Sequence, residues 1–237
     1  MQLNHPVSNR SSLLGFCSNF LKKLNGNVAG IALTEFAVVA PVFLSLGMVG
    51  FEIANMAITK MKVSQIALSV ADNASRLGQT DNTALAPTIS EKDVDAVLRG
   101  ADEQGKSISF AENGRVILSS LEYEPTLDRQ FIHWQRCFGD QDVESAYGND
   151  TDKNGKSGTR LEGMGRGNRK VEAPRNGREA VMFVEIHYKY PAVFSNSLTS
   201  DITFREEAAF IIRDDRTLTP PDDDNEKGLT GDRLNSC

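Results

Sequence analysis

Residues 28–51, VAGIALTEFAVVAPVFLSLGMVGF, hold one ionisable side chain, Glu35, in an otherwise uncharged run. As a helix rising ~1.5 Å per residue, a run of this length crosses a hydrocarbon core of about 30 Å. A carboxylate inside such a run costs roughly 2.5–3.5 kcal/mol on insertion scales, so it needs a reason to be there. No second run of that length occurs in the 237 residues. The sequence therefore predicts a single crossing over residues 31–59, with a soluble domain of residues 60–237 after it.

Charge is distributed unevenly about this run. The first 30 residues contain Arg10, Lys22 and Lys23 and no acid. The whole chain carries −6, so removing those three cations leaves −9 for the remainder. Basic residues beside a first apolar segment hold that end in the cytoplasm. The prediction is an inner-membrane protein with its N-terminus cytoplasmic and an acidic domain across the membrane. An acidic body lacks the basic footprint that nucleic-acid binding requires.

The glutamate lies five residues after Gly30, in Gly30-Ile31-Ala32-Leu33-Thr34-Glu35-Phe36. This arrangement resembles a type IV prepilin processing site, where a peptidase cuts after glycine and glutamate is fifth in the product. The longer string GIALTEFAVVAPVF, with Gly30, Glu35, Phe36 and Pro41, resembles the TadE-like family of minor pseudopilins of tight-adherence (Tad/Flp) pili. FEIANM resembles the acidic ending of that family's helix, and HWQRCFG, AVMFVEIHYKY and FREEAAFIIRDDR resemble body segments. The resemblance implies a leader of residues 1–30, a cut between Gly30 and Ile31, and a pilin-like head. It also implies a function in initiating or assembling a pilus, possession of no enzymatic activity, and no cofactor. The implied partners are a prepilin peptidase, other minor pseudopilins or pilins, and the inner-membrane pilus platform. Possible release from the membrane by signal peptidase, which needs small residues one and three positions before its cut, fits poorly. Ala57 has Asn55 at the third position, and Ala71 lies far beyond the apolar run.

A physical role for Glu35 follows from such a cut. It creates an α-amine on Ile31, cationic near neutral pH, and opposite charges lower each other's cost in an apolar medium. Glu35 of one subunit meeting the Ile31 amine of its neighbour would set the register of assembly, with Phe36 beside it.

The remaining sequence predicts an α+β fold, a long helix over about 28–77 whose second half packs on an antiparallel sheet of about four strands. Met61, Ile66, Leu68, Val70, Ala74 and Leu77 form the expected stripe, and Gly78 the stop. Residues 79–88 read as a linker, and Ser90 caps a short helix with acids in its first turn. Asn113-Gly114 reads as a hairpin turn between SISF and GRVILSSLEYEP, with Ile117, Leu121 and Tyr123 on one face. Ile132 and Trp134 share a side of the next strand. Met182, Val184, Ile186, Tyr188 and Tyr190 face one way in the third, and Glu185, His187 and Lys189 the other. Phe204, Ala208, Phe210 and Ile212 share a face of the fourth. One sheet face is expected under the helix and the other in solvent, with His133 and His187 on the solvated side. Residues 139–177 form a long Gly-rich loop, and 214–237 an acidic tail.

Cys137 and Cys237 in an exported domain suggest one disulfide, against two free thiols or a bond between chains. Asp150, Asp152 and Asn154 followed by Gly155 match the first half of a calcium loop. The twelfth position is Leu161, however, with Glu162 one residue late, so a plain loop stands beside calcium binding. GMGRGN, residues 163–168, lacks the preceding strand and third glycine of a nucleotide site. Two functions remain: the minor pseudopilin, and an unprocessed membrane-anchored periplasmic binding or adhesin domain.

Overall fold

The structure, a computed structural model, describes residues 29–78, 89–151, 154–158, 161–168, 170–194, 202–212, 218 and 237. The basic leader through residue 28, the linker 79–88, Asp152 and nearly all of the acidic tail lie outside them. The elements run α1 (Ala29–Ser75), α2 (Glu91–Gly105), a 3-10 turn (Lys106–Ile108), α3 (Phe110–Asn113), β1 (Gly114–Glu124), β2 (Arg129–Phe138), β3 (Val181–Lys189) and β4 (Thr203–Ile211). The chain divides into two compact units, one ending at Phe51 and the other beginning at Glu52.

α1 runs through Pro41 without a break. Proline supplies no N–H to the Ala37 carbonyl four residues before it; the Ser45 hydroxyl donates to the Pro41 carbonyl at 2.7 Å, the back-bond of a helical serine. The helix ends before Gly78, whose φ of 84° is left-handed and inexpensive only for glycine.

In the second unit, a long helix packs on a four-stranded antiparallel sheet of order β2-β1-β3-β4, an α+β arrangement. Val63, Ile66, Ala67, Val70, Ala71 and Ala74 of α1 are buried, and Val94, Leu98 and Ala101 of α2 join them. They share a core with Val116, Leu118, Trp134, Met182, Val184, Ile186, Tyr188 and Phe204. Met61 and Leu68 are more than half exposed, so the helical stripe differs from the expected one. The spacing 63-66-67-70-71-74 follows the 3.6-residue period, which turns 61 and 68 outward. α2 starts with a capping box, Ser90 and Asp93 each bonding the other's backbone N–H.

Three further expectations are corrected. SISF is not a strand: the chain makes the 3-10 turn and α3, and Asn113-Gly114 closes a helix rather than a hairpin. The reason is Phe110, fully buried against Tyr188 with ring centroids 6.1 Å apart. The ring fits because Gly105 and Gly114 lack a Cβ, which would lie 2.2 Å from Phe110 Cβ and 2.6 Å from its carbonyl oxygen respectively. The β1–β2 hairpin turns instead at residues 125–128.

Ile132 and Trp134 lie on opposite faces. Leu121 pairs with Ile132 and Ser120 with Trp134, so His133 is the extra residue of a bulge. Ile132 joins a second core and Trp134 the first.

The second sheet face is not solvated. Leu121, Ile132, Val181 and Phe183 on it are covered by Leu161, Met164 and Ala173 of the long loop. The loop is fastened to β2 by the bridge Gln130–Leu161 and closed on itself by Met164–Val171. A single sheet face cannot shelter apolar residues on both sides of β1 and β3, which is why the 139–177 segment folds as a lid.

Candidate functional site

The first unit presents the apolar segment bare. Ile31 is 60% exposed, Leu33 69%, Phe36 72% and Phe43 70%. A helix this long and apolar can cross a membrane, and its exposure distinguishes it from the buried core helix of a globular domain. Gly30, Ile31, Glu35 and Phe36 fall within the first turns of α1, all exposed. Thr34 donates its hydroxyl to the Ile31 carbonyl at 2.8 Å. A Cβ built on Gly30 meets nothing within 4 Å, and the same holds at Gly47 and Gly50. Nothing in the described packing therefore requires these glycines, although each costs roughly 1 kcal/mol against alanine in a helix.

The second unit begins with Glu52, 2% exposed. Its carboxylate accepts the backbone N–H of Phe194 at 2.9 Å and of Val193 at 3.3 Å. Asn55 donates to the Tyr190 hydroxyl at 2.7 Å one turn on. Sequence reasoning noted an acidic residue at the end of the apolar run, but nothing local could indicate its partners, some 140 residues away.

On the loop-covered sheet face, Glu185 is fully buried. It accepts the Ser145 hydroxyl and the Ala146 N–H, and Arg205 pairs with it at 2.9 Å. Arg205 also meets Glu207 at 2.8 Å, and Tyr147 donates to Glu207 at 2.8 Å. Burial pushes the Tyr147 phenol up to about 12, helped by Glu207. His187 lies 3.8 Å from Glu185, beyond hydrogen-bond reach. His133, at the bulge, contacts Glu122 at 2.8 Å. Both histidines are thus largely sheltered, contrary to their expected solvent exposure: His187 lies on the face the loop covers, and His133 lies against Glu122.

Burial of Glu185 works against its charge, but the hydrogen bonds and Arg205 outweigh it and hold the carboxyl below the ordinary range. A depressed carboxyl stabilises the fold above its unfolded pKa, about 4.5, and loses that contribution as pH falls through the folded value. The expected result is a thermal midpoint that drops in acid for the wild type and drops less steeply for Glu185→Gln, which starts lower at pH 7. Parallel pH profiles for the two proteins would contradict the assignment.

Cys137 and Cys237 are joined by a disulfide across 100 residues. The bond lines a cleft of about 430 Å³ together with Arg115, Gln135, Arg136, Ser145 and Asp150. Asp150 accepts the Gln135 N–H at 3.1 Å, and the Asn154 amide donates to the Tyr147 carbonyl at 2.5 Å. Asp150 thus ties the loop to the β2 backbone, and Asn154 serves the loop's own backbone. Among the described residues, no group of three or more His, Cys, Asp or Glu side chains is placed to hold a metal; Asp152 lies outside them.

Comparison of the chain with protein-family models, with curated proteins and with solved structures gives no match.

Proposed function

We propose that the chain is a membrane-anchored minor pseudopilin of the TadE-like type, helping to initiate or assemble a Tad/Flp-type pilus. The observation that carries this reading is the bare apolar segment of α1, with one carboxylate five residues after a glycine that its own packing does not use. In this reading the N-terminus is cytoplasmic, the head is periplasmic, and a prepilin peptidase cuts between Gly30 and Ile31. The chain performs no reaction and carries no cofactor. Gly30 admits the peptidase closely, while Gly47 and Gly50 let neighbouring helices approach, as small residues do in membranes. The Ile31 amine released by the cut pairs with Glu35 of an adjacent subunit or of a related pilin, and the inner-membrane platform receives the assembled helices.

Glu35→Gln tests the pairing. It keeps size and polarity and removes the charge, so insertion is unharmed, the leader is removed, and surface pili are lost or sharply reduced in a strain carrying only this copy. Leader removal is read by blot and pili by electron microscopy. Normal piliation with normal cleavage would end the pairing role. A second reading, an unprocessed anchored binding or adhesin domain, is favoured by the cleft beside the disulfide. It differs in retaining residues 1–30.

A further inference from the structure

The turn that follows β3 is built unlike an ordinary solvent loop. Residues 191–194, Pro-Ala-Val-Phe, carry no charge, hydroxyl or amide side chain. Pro191 and Val193 are exposed, Val193 at 53%. The segment has three backbone N–H groups, since Pro191 has none. Two of them, on Val193 and Phe194, are taken by the buried carboxylate of Glu52. An apolar turn with two of its three donors already satisfied enters a region poor in water at lower cost. A turn with free N–H groups cannot do so cheaply, because each unsatisfied group costs several kcal/mol there.

The position of Glu52 along the chain says which region that is. It follows Phe51 directly, the last residue of the apolar run. The 22 residues from 30 to 51 span about 33 Å as helix, against a hydrocarbon core of about 30 Å. The lipid boundary therefore falls within about a turn of Glu52, and the 193–194 amides lie within 3.3 Å of its carboxylate. Ile53, the next residue, is 56% exposed. Tyr190, the residue before the turn, is buried with its hydroxyl bonded to Asn55, so the turn is also tied to α1 just beyond Glu52.

We propose that the Pro191–Phe194 turn docks into the lipid headgroup boundary of the membrane that α1 crosses, giving the head a second, peripheral attachment held in place by Glu52. This rests on reading α1 as a membrane span. The occupant of the turn's exposed surface is lipid rather than a protein partner, because the turn is hydrogen-bonded to Glu52, the residue that directly follows the lipid-length segment. One helix leaves the head free to tilt about its exit point. A second contact at the surface restricts that tilt and fixes which face of the head is presented to other subunits.

The test is tryptophan quenching in the full chain reconstituted into phosphatidylethanolamine–phosphatidylglycerol vesicles containing brominated lipids. Trp134, the only native tryptophan, is 2% exposed and supplies a constant background. Val193→Trp is expected to lose most of its added emission to lipid brominated near the headgroup, and to resist acrylamide. Leu44→Trp, inside the span, is expected to lose its added emission to lipid brominated deep in the chains. Leu127→Trp, on the exposed β1–β2 hairpin at the other end of β1, is expected to show neither loss. Leu44 quenched with Val193 unquenched and open to acrylamide overturns the docked turn and leaves the span standing. No quenching at Leu44 overturns the span and the docked turn together. Quenching at Leu127 equal to that at Val193 overturns the docking as a property of this turn. Glu52→Ala in the Val193→Trp background adds a second reading: release of the two amides is expected to restore emission, and unchanged quenching would remove Glu52 from its positioning role.

Discussion

Arg136→Met is expected to cost the head about 3–5 kcal/mol of stability, the range found when one partner of a buried ion pair is removed. Glu91, at the first position of α2, is 1% exposed. Arg136 on β2 meets it with a two-pronged grip, Nε at 2.9 and 3.0 Å from the two carboxylate oxygens and Nη2 on Oε1, and its Nη1 donates to the Gln135 carbonyl at 2.8 Å. Without the guanidinium the carboxylate is left in a water-poor site with the helix N-terminus as its main compensation, worth only about 0.3–1 kcal/mol in ordinary settings. The desolvation argument makes a sharper claim about the double variant. Glu91→Leu with Arg136→Met removes both charges and is expected to regain most of the loss, since an apolar replacement of a buried pair is often neutral. Urea unfolding of the four proteins in mild detergent gives the cycle. A single variant within about 1 kcal/mol of wild type, or a double variant worse than either single one, would contradict the account.

Cys137→Ser is expected to lower stability by about 4–5 kcal/mol through the freed unfolded chain. The bond closes a loop of 100 residues, and loop-closure entropy at that length is nominally ~4.7 kcal/mol. Cys237→Ser should match it, and the double replacement should add nothing further, because either change opens the same loop. Reductant on the wild type should reproduce the effect. An unfolding midpoint that does not move under reductant would contradict it, as would free labelling of both thiols in protein isolated without reductant.

The parts of this fold that were legible in the sequence share a physical property: their signal is local. The capping box at Ser90 needs only Ser90 and Asp93. The alternation on β3 and β4 survives because both strands pair in regular register, Met182 with Phe210 through Tyr188 with Phe204. Alternation failed on β2 because a bulge at His133 reverses the face of everything beyond it, and single-residue bulges leave no periodic trace. The strand at SISF failed because Phe110 answers to Tyr188 and to two missing Cβ atoms, a packing decision taken about 80 residues away. The lid over the second sheet face went unread for a similar reason. Its apolar anchors, Leu161, Met164 and Ala173, are spaced without period among glycines and charges.

The candidate site divides along the same line. Gly30, Glu35 and the apolar run announce themselves because a charge inside an apolar segment is anomalous by composition alone. Glu52 and Glu185 do not, since a glutamate at the edge of a span or on a strand's polar side reads as solvated. Only the fold reveals that Glu52 holds the 193–194 amides and that Glu185 is enclosed by Ser145, Ala146 and Arg205.

The central proposal is that the chain works as a processed pseudopilin, and the N-terminus of the mature protein addresses it most directly. The full-length chain, extracted from membranes of cells that contain a prepilin peptidase, should begin at Ile31 by N-terminal sequencing, with an intact mass short by residues 1–30. From cells lacking the peptidase it should retain the leader. A mature protein that still carries residues 1–30 in both cells would contradict the proposal and leave an unprocessed anchored domain in its place.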